Sequence, residues 1–173
     1  MQHLQPIHDS YEVVSGRFRA GEYPSSTEEI EAYAKACWLL DCGYNYFVDL
    51  TEIGEYNLRD YDSILKIEEA NFCLTSIHKR IPIVDMHIPS KKQMTNILDT
   101  IDTALENSHQ IYLHCYGGIG RTGTVVGCYL VRHGLSGQEA LSRITELRSD
   151  IPDGWKQSPE TEEQCEMILN WKE

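Results

Sequence analysis

The chain reads as a single α/β domain: a central, mostly parallel, twisted sheet of roughly four to five strands flanked by helices, with a glycine-rich loop between one strand and one helix. Three observations predict this. Short β-branched or aromatic runs such as YNYFVDL (44–50) and HQIYLHC (109–115) alternate with longer segments whose apolar residues recur at helical spacing. At 173 residues the chain suits one domain, and no repeat, low-complexity or linker-like stretch divides it, so residues 1–173 are expected to fold as one unit. Finally, Gly117, Gly118 and Gly120 follow the last strand directly before an apolar helix, and in open α/β sheets the carboxyl end of a strand is where ligands bind.

Taken in order, the first strand signal is YEVVSGRFRAGEYP (11–24), ending in a turn. Ser26, with Glu29 three residues on, reads as a capping box opening a helix that runs to about Asp41. YNYFVDL follows as a buried strand. Residues 52–72 are ambiguous, although LRDYDSILKIEEA (58–70) has helical character. HKRIPIVD (78–85) reads as a strand running into a loop, and Ser90 with Gln93 forms a second capping box. Behind it Met94, Ile97, Leu98, Ile101, Ala104 and Leu105 share one helical face. After the strand HQIYLHC, TGTVVGCYLVRHG (122–134) is a buried helix stopped by Gly134. Ser136 and Glu139 cap the next helix, and Ser158–Pro159 are expected to start the last one, with proline at its favoured first position.

Composition narrows the function. The net charge of −12, from 27 acidic and 15 basic residues, disfavours nucleic acid and anionic membranes, which need a broad basic surface. No apolar run approaches the ~18 residues of a membrane span. The six cysteines show neither Cys-x-x-Cys pairs nor zinc-like spacing, so no metal is expected. MQHLQPIHDS at the N-terminus has no signal-peptide core and NWKE at the C-terminus is no prenylation box. The expectation is therefore a cytoplasmic protein with reduced thiols, a monomer, without cofactor.

The stretch HCYGGIGRTG (114–123) carries the chemistry. Closely spaced glycines cost backbone entropy and bury nothing, so something must approach the backbone there. Successive N–H groups from Tyr116 through Gly117, Gly118, Ile119 and Gly120 can turn inward as an anion-binding nest, and the following helix adds positive potential. A phosphate in that nest could be gripped bidentately by Arg121. The same field favours the thiolate form of Cys115, the candidate nucleophile. Thr122 could donate its hydroxyl to the sulfur and help it leave. A bare Cys-x5-Arg match arises by chance less than once in such a chain; the glycines, the flanking strand and helix, His114 and Thr122 supply the weight.

These residues resemble the signature loop of the cysteine-dependent protein tyrosine phosphatase superfamily, His-Cys-x5-Arg-(Ser/Thr). RFRAGEYPSS, YFVDLTE, RIPIVDMHIPS and SPETEEQ resemble segments of its compact dual-specificity-like branch, the kinase-associated phosphatase type. The resemblance implies metal-free phosphomonoester hydrolysis through a phosphocysteine. It also implies an aspartate general acid some thirty residues before the cysteine; Asp85 stands thirty positions before Cys115 and is the only aspartate between Asp62 and Asp99. His114 is read as orienting the loop rather than carrying a proton. Gln164 either positions the hydrolytic water, as in some relatives, or lies on a solvated helix face. Tyr116 shapes the rim of the loop, and Arg80 reads as a lone surface charge. Cys73 or Cys128 are candidates for a disulfide with Cys115 under oxidation.

The leading expectation is a protein phosphatase acting on phosphotyrosine, with phosphoserine and phosphothreonine as further substrates. An inositol phosphate or other small phosphomonoester is the alternative, although positions 116–120 lack the lysines of relatives built for polyanions. A phosphate-binding pseudo-enzyme or scaffold is a third reading; such proteins typically lose the nucleophile, acid or arginine, and all three are present here. Low-molecular-weight phosphatases and arsenate reductases carry their Cys-x5-Arg near the N-terminus, and rhodaneses have a shorter loop.

Overall fold

In the computed structural model, which describes residues 5–173, the sequence elements assemble as a five-stranded sheet of order β1-β2-β5-β3-β4. The first residues of the N-terminal stretch read above for a leader lie outside that range. The strands are β1 (Ser10–Val14), β2 (Phe18–Gly21), β3 (Tyr46–Asp49), β4 (Ile77–Arg80) and β5 (Ile111–His114). The helices are α1 (Glu29–Asp41), α2 (Tyr61–Phe72), α3 (Lys91–Glu106), α4 (Gly120–Arg132), α5 (Gly137–Leu147) and α6 (Glu162–Leu169). Every pairing is parallel except β1 with β2, which are antiparallel.

Side-chain alternation along the central strands separates two cores. Tyr46, Val48, Leu50, Ile111 and Leu113 pack on the side of α3, α4, α5 and α6, with the predicted stripe of Met94, Ile97, Leu98, Ile101 and Ala104 buried against them. Phe47 and Tyr112 point the other way, into a core with Ala32, Leu39 and Leu65 from α1 and α2. Strands buried on both faces explain why YNYFVDL and HQIYLHC read as near-continuous apolar runs.

Four expectations about local structure are corrected. The segment 11–24 is two strands: the chain reverses at Gly16 (φ 65°), and Arg17 N–H donates to Val14 O at 3.0 Å. The Ser26–Glu29 box does not form. α1 begins at Glu29, and the Ser26 hydroxyl, too far upstream to cap it, accepts from Glu28 N–H and donates to Glu31. At α3 only half the box exists: Ser90 accepts from Gln93 N–H, while the Gln93 amide donates to Pro82 O at 2.7 Å. The last helix starts at Glu162, not at Pro159. Thr161 and Gln164 make a complete capping box there, and Ser158–Pro159 is a cis peptide in the preceding loop. The box at Ser136 and Glu139 forms as read, and Gly134 (φ 107°) follows the end of α4.

Beneath the sheet's carboxyl edge lies a buried polar cluster. Asp49 of β3 and His114 of β5 are register partners and both fully buried. They follow Phe47 and Tyr112 by two residues and so face α2. There Tyr61 donates its hydroxyl to His114 Nε2 at 2.6 Å, which leaves Nδ1–H to donate to Cys115 O at 3.1 Å. Asp49 accepts from Thr51 N–H and hydroxyl (2.8 and 2.6 Å) and from Arg80 Nε at 2.9 Å, with His78 at 3.1 Å. Burial alone would raise the Asp49 carboxyl, but the His114 ring and the bonds from His78 and Thr51 outweigh it and hold it below the usual range.

Two predictions follow from this packing. Gly127 of α4 faces Ile168 of α6 so closely that an added Cβ would sit 2.6 Å from Ile168 Cγ1. Alanine would gain about 1 kcal/mol of helix propensity, but overpacking typically costs about 1–3 kcal/mol. Gly127→Ala is therefore expected to lower Tm in a thermal melt. Burial pushes the His114 ring down to about 4. The unfolded chain then takes up a proton at about pH 6.5 that the folded chain refuses until about pH 4, so stability falls as pH drops through that window and is flat above it. The loss is on the order of 3 kcal/mol, read as a fall in the urea midpoint that shrinks in His114→Asn.

Candidate active site

Cys115 stands at the carboxyl end of the central strand β5, only 2% exposed, and the chain then turns through the glycines into α4. The loop is seated against β2. Tyr23 N–H donates to Tyr116 O at 2.8 Å, and Gly118 adopts φ 70° with its α-carbon hard against the β2 terminus. A Cβ there would lie 2.6 Å from Glu22 N, so both the left-handed backbone and the close approach demand glycine. Gly117 and Gly120 complete the turn, and Ile119, 7% exposed, is the residue before α4. Gly120 lies under α6: a Cβ would be 3.1 Å from Gln164 Oε1.

Arg121, in the first turn of α4, is 1% exposed, so its charge needs partners. Glu55 takes both terminal nitrogens in a fork, Nη1 to Oε2 at 2.8 Å and Nη2 to Oε1 at 2.5 Å. Nη1 also donates to Ile83 O at 3.0 Å, and Nη2 lies 3.0 Å from Asp85 Oδ1. Arg121 Nε and the Thr122 hydroxyl are buried without a hydrogen-bond partner among the described residues. A buried guanidinium on the same glycine loop as a thiol, with its Nε unpaired among the described residues, is an arrangement that can accept an oxyanion.

Asp85 sits on the loop after β4, its side chain about a third exposed. Its Oδ2 accepts the Tyr56 hydroxyl at 2.6 Å. That loop is pinned from two helices, through Gln93 to Pro82 O and through Gln164 Nε2 to His87 O at 3.3 Å. Gln164 is fully buried, which corrects the solvated-face alternative: its carbonyl caps α6 and its amide reaches the Asp85 loop. Arg80 is likewise no lone surface charge, because it is paired with buried Asp49. His114 orients the loop backbone through Cys115 O, as described above. All six cysteines are free; Cys128 is buried in α4 within the core that includes Cys115, and Cys73 is exposed at the end of α2.

Sequence reasoning missed Glu55, Tyr56 and Tyr61. The first two lie on a 3₁₀ turn, Glu55–Asn57, inside the stretch that no periodicity could place. A signal was present: TEIGEY follows β3, a neighbour of β5, and loops at the carboxyl ends of adjacent parallel strands converge.

Comparison with known proteins identifies the family and the fold. A family model described as polymorphic toxin system, DSP-PTPase phosphatase, matches residues 21–135, well over half of the chain. Human cyclin-dependent kinase inhibitor 3 is 29% identical over 124 residues, 70% of this chain and 53% of that protein. An Arabidopsis thaliana phosphatidylinositol 3,4,5-trisphosphate 3-phosphatase and protein-tyrosine-phosphatase is 33% identical over 78 residues, 44% of this chain and 19% of that protein. The chain thus spans about half or less of the length of these relatives. A kinase-associated phosphatase with serine in place of its catalytic-site cysteine shares the fold, with a TM-score of 0.75 at 20% identity over 94% of this chain and 92% of that one. With Cys115 and Arg121 on one glycine loop at the sheet's carboxyl edge, and with that family match, the chain belongs to the DSP-PTPase family of cysteine-dependent phosphatases.

Proposed function

We propose that the protein removes phosphate from phosphorylated proteins, phosphotyrosine foremost and phosphoserine or phosphothreonine more slowly, through a phosphocysteine. The observation that carries this reading is the meeting of Asp85 with Arg121, 3.0 Å apart, beside the loop that holds Cys115. Nucleophile and anion grip share one loop, and the proton donor reaches it from the loop after β4.

The chemistry runs in two steps. The phosphoryl group sits in the nest of N–H groups from Tyr116 to Gly120, and Arg121 binds two of its oxygens. The Cys115 thiolate attacks phosphorus; the S–P bond forms as the P–O bond to the substrate breaks, and Asp85 gives its proton to the departing oxygen. In the second step Asp85, now a carboxylate, takes a proton from water as that water attacks the phosphocysteine. Inorganic phosphate leaves, and Thr122, its hydroxyl free of other partners, donates to the sulfur as the thiolate is regenerated. On this reading Gln164, whose amide lies over the loop at Gly120, holds that water through its second amide hydrogen.

Substrate class is argued from the walls. A cavity of about 360 Å³ beside Tyr116 and Gly117 presents Asp9, Glu22 and Asp153 against a single lysine, Lys35. A second, of about 450 Å³ around Glu55, adds Glu52, Asp60 and Asp62, with Arg80, itself paired to Asp49, and His78 on its wall. Such walls repel a highly phosphorylated small molecule and tolerate a peptide carrying one phosphate.

On this reading Cys115→Ser abolishes turnover yet keeps substrate binding, seen as a thermal upshift with phosphotyrosine peptide; residual steady turnover would sink the phosphocysteine route. In kcat/KM measurements on matched peptides, phosphotyrosine is expected to exceed phosphothreonine by about tenfold or more, with inositol hexakisphosphate left intact. Turnover of the inositol phosphate alone would keep the mechanism and overturn the protein substrate.

A further inference from the structure

We propose that Tyr56 is a positioning residue that fixes the Asp85 carboxyl for leaving-group protonation; this rests on the role given to Asp85 above. The geometry is specific. Asp85 presents Oδ1 to Arg121, the side where phosphate binds, and Oδ2 to the Tyr56 hydroxyl at 2.6 Å. When a phosphate engages Arg121, Oδ1 is released toward the leaving oxygen while Oδ2 stays tethered. Without that tether, a side chain about a third exposed, on a loop whose next residue, Met86, is left-handed (φ 63°), is free to rotate toward solvent.

Tyr56 is itself held in place. Its backbone lies in the left-handed region (φ 55°, ψ 17°), which disfavours a tyrosine, so the surroundings must compensate. They do so on two sides. The Tyr56 ring stacks on Tyr116 of the signature loop, centroids 4.2 Å apart and 30° inclined. The preceding residue, Glu55, is clamped to Arg121. One short turn thus grips the phosphate-binding arginine with one residue and the proton donor with the next. The bond to Asp85 pushes the Tyr56 phenol up to about 12, so it remains a protonated hydrogen-bond donor at neutral pH. The phenol neither accepts nor delivers the transferred proton; it orients the group that does.

The test uses leaving-group dependence, because a proton donor matters little when the leaving oxygen is already stable as an anion. kcat/KM is measured on phenyl phosphate and p-nitrophenyl phosphate for the native enzyme, Asp85→Asn, Tyr56→Phe and the double variant. Tyr56→Phe keeps the ring and its stack on Tyr116. It is expected to lose about tenfold on phenyl phosphate and less than about twofold on p-nitrophenyl phosphate, with Asp85→Asn losing about 10²-fold in the same selective pattern. In the Asp85→Asn background, Tyr56→Phe should add less than about twofold, since both act through one carboxyl. Equal losses on the two substrates, or a full Tyr56→Phe effect in the double variant, would overturn the proposal while leaving Asp85 as the acid. An Asp85→Asn enzyme without leaving-group selectivity would overturn both assignments.

Discussion

The buried guanidinium of Arg121 is the constraint around which the rest of the site is arranged. A cation at 1% exposure is tolerated only with excellent partners. The chain supplies them from separate loops: Glu55 after β3, and Ile83 O and Asp85 after β4. Their convergence depends on strand order. With β5 in the middle, β2 on one side and β3 then β4 on the other, the segments that leave the carboxyl edge arrive around one point. The hairpin β1–β2 completes the arrangement by giving the signature loop a backbone wall to lie against at Glu22.

The same economy extends into the sheet. His114 is both a member of β5 and the orienting group for the Cys115 carbonyl, and its neutral form is enforced by burial. Asp49, its register partner, is held ionised with the help of bonds from His78 and Thr51, and Arg80 pairs with it. Polar groups this deep are acceptable because each is matched, and the matching fixes the ring that supports the Cys115 backbone.

How much of this was legible in the sequence follows from the range of each interaction. The strands β3 and β5 and the stripe on α3 declare themselves because burial on a sheet face or helix face imposes a period on local sequence. The loop 114–123 is legible because its chemistry is contiguous. Gly118 must admit a left-handed turn, and Arg121 must follow at a fixed offset. Asp85 was reached through family resemblance, since nothing within its own segment marks it. Glu55 and Tyr56 were not reached at all. Their partners lie 66 and 29 positions away, and their 3₁₀ turn has no periodicity to betray it. The misplaced helix starts at Ser26 and Pro159 have a simpler origin: a hydroxyl and a proline are equally at home in the loop just upstream of a helix.

Gln164 gives the C-terminal helix a reach beyond packing. Its carbonyl closes the first turn of α6 and its amide holds His87 O in the loop that carries Asp85. Fraying of that helix end and displacement of the acid loop are therefore one event rather than two. The last helix of the fold thus acts as a tensioner on the loop that carries Asp85, and the order of one depends on the order of the other.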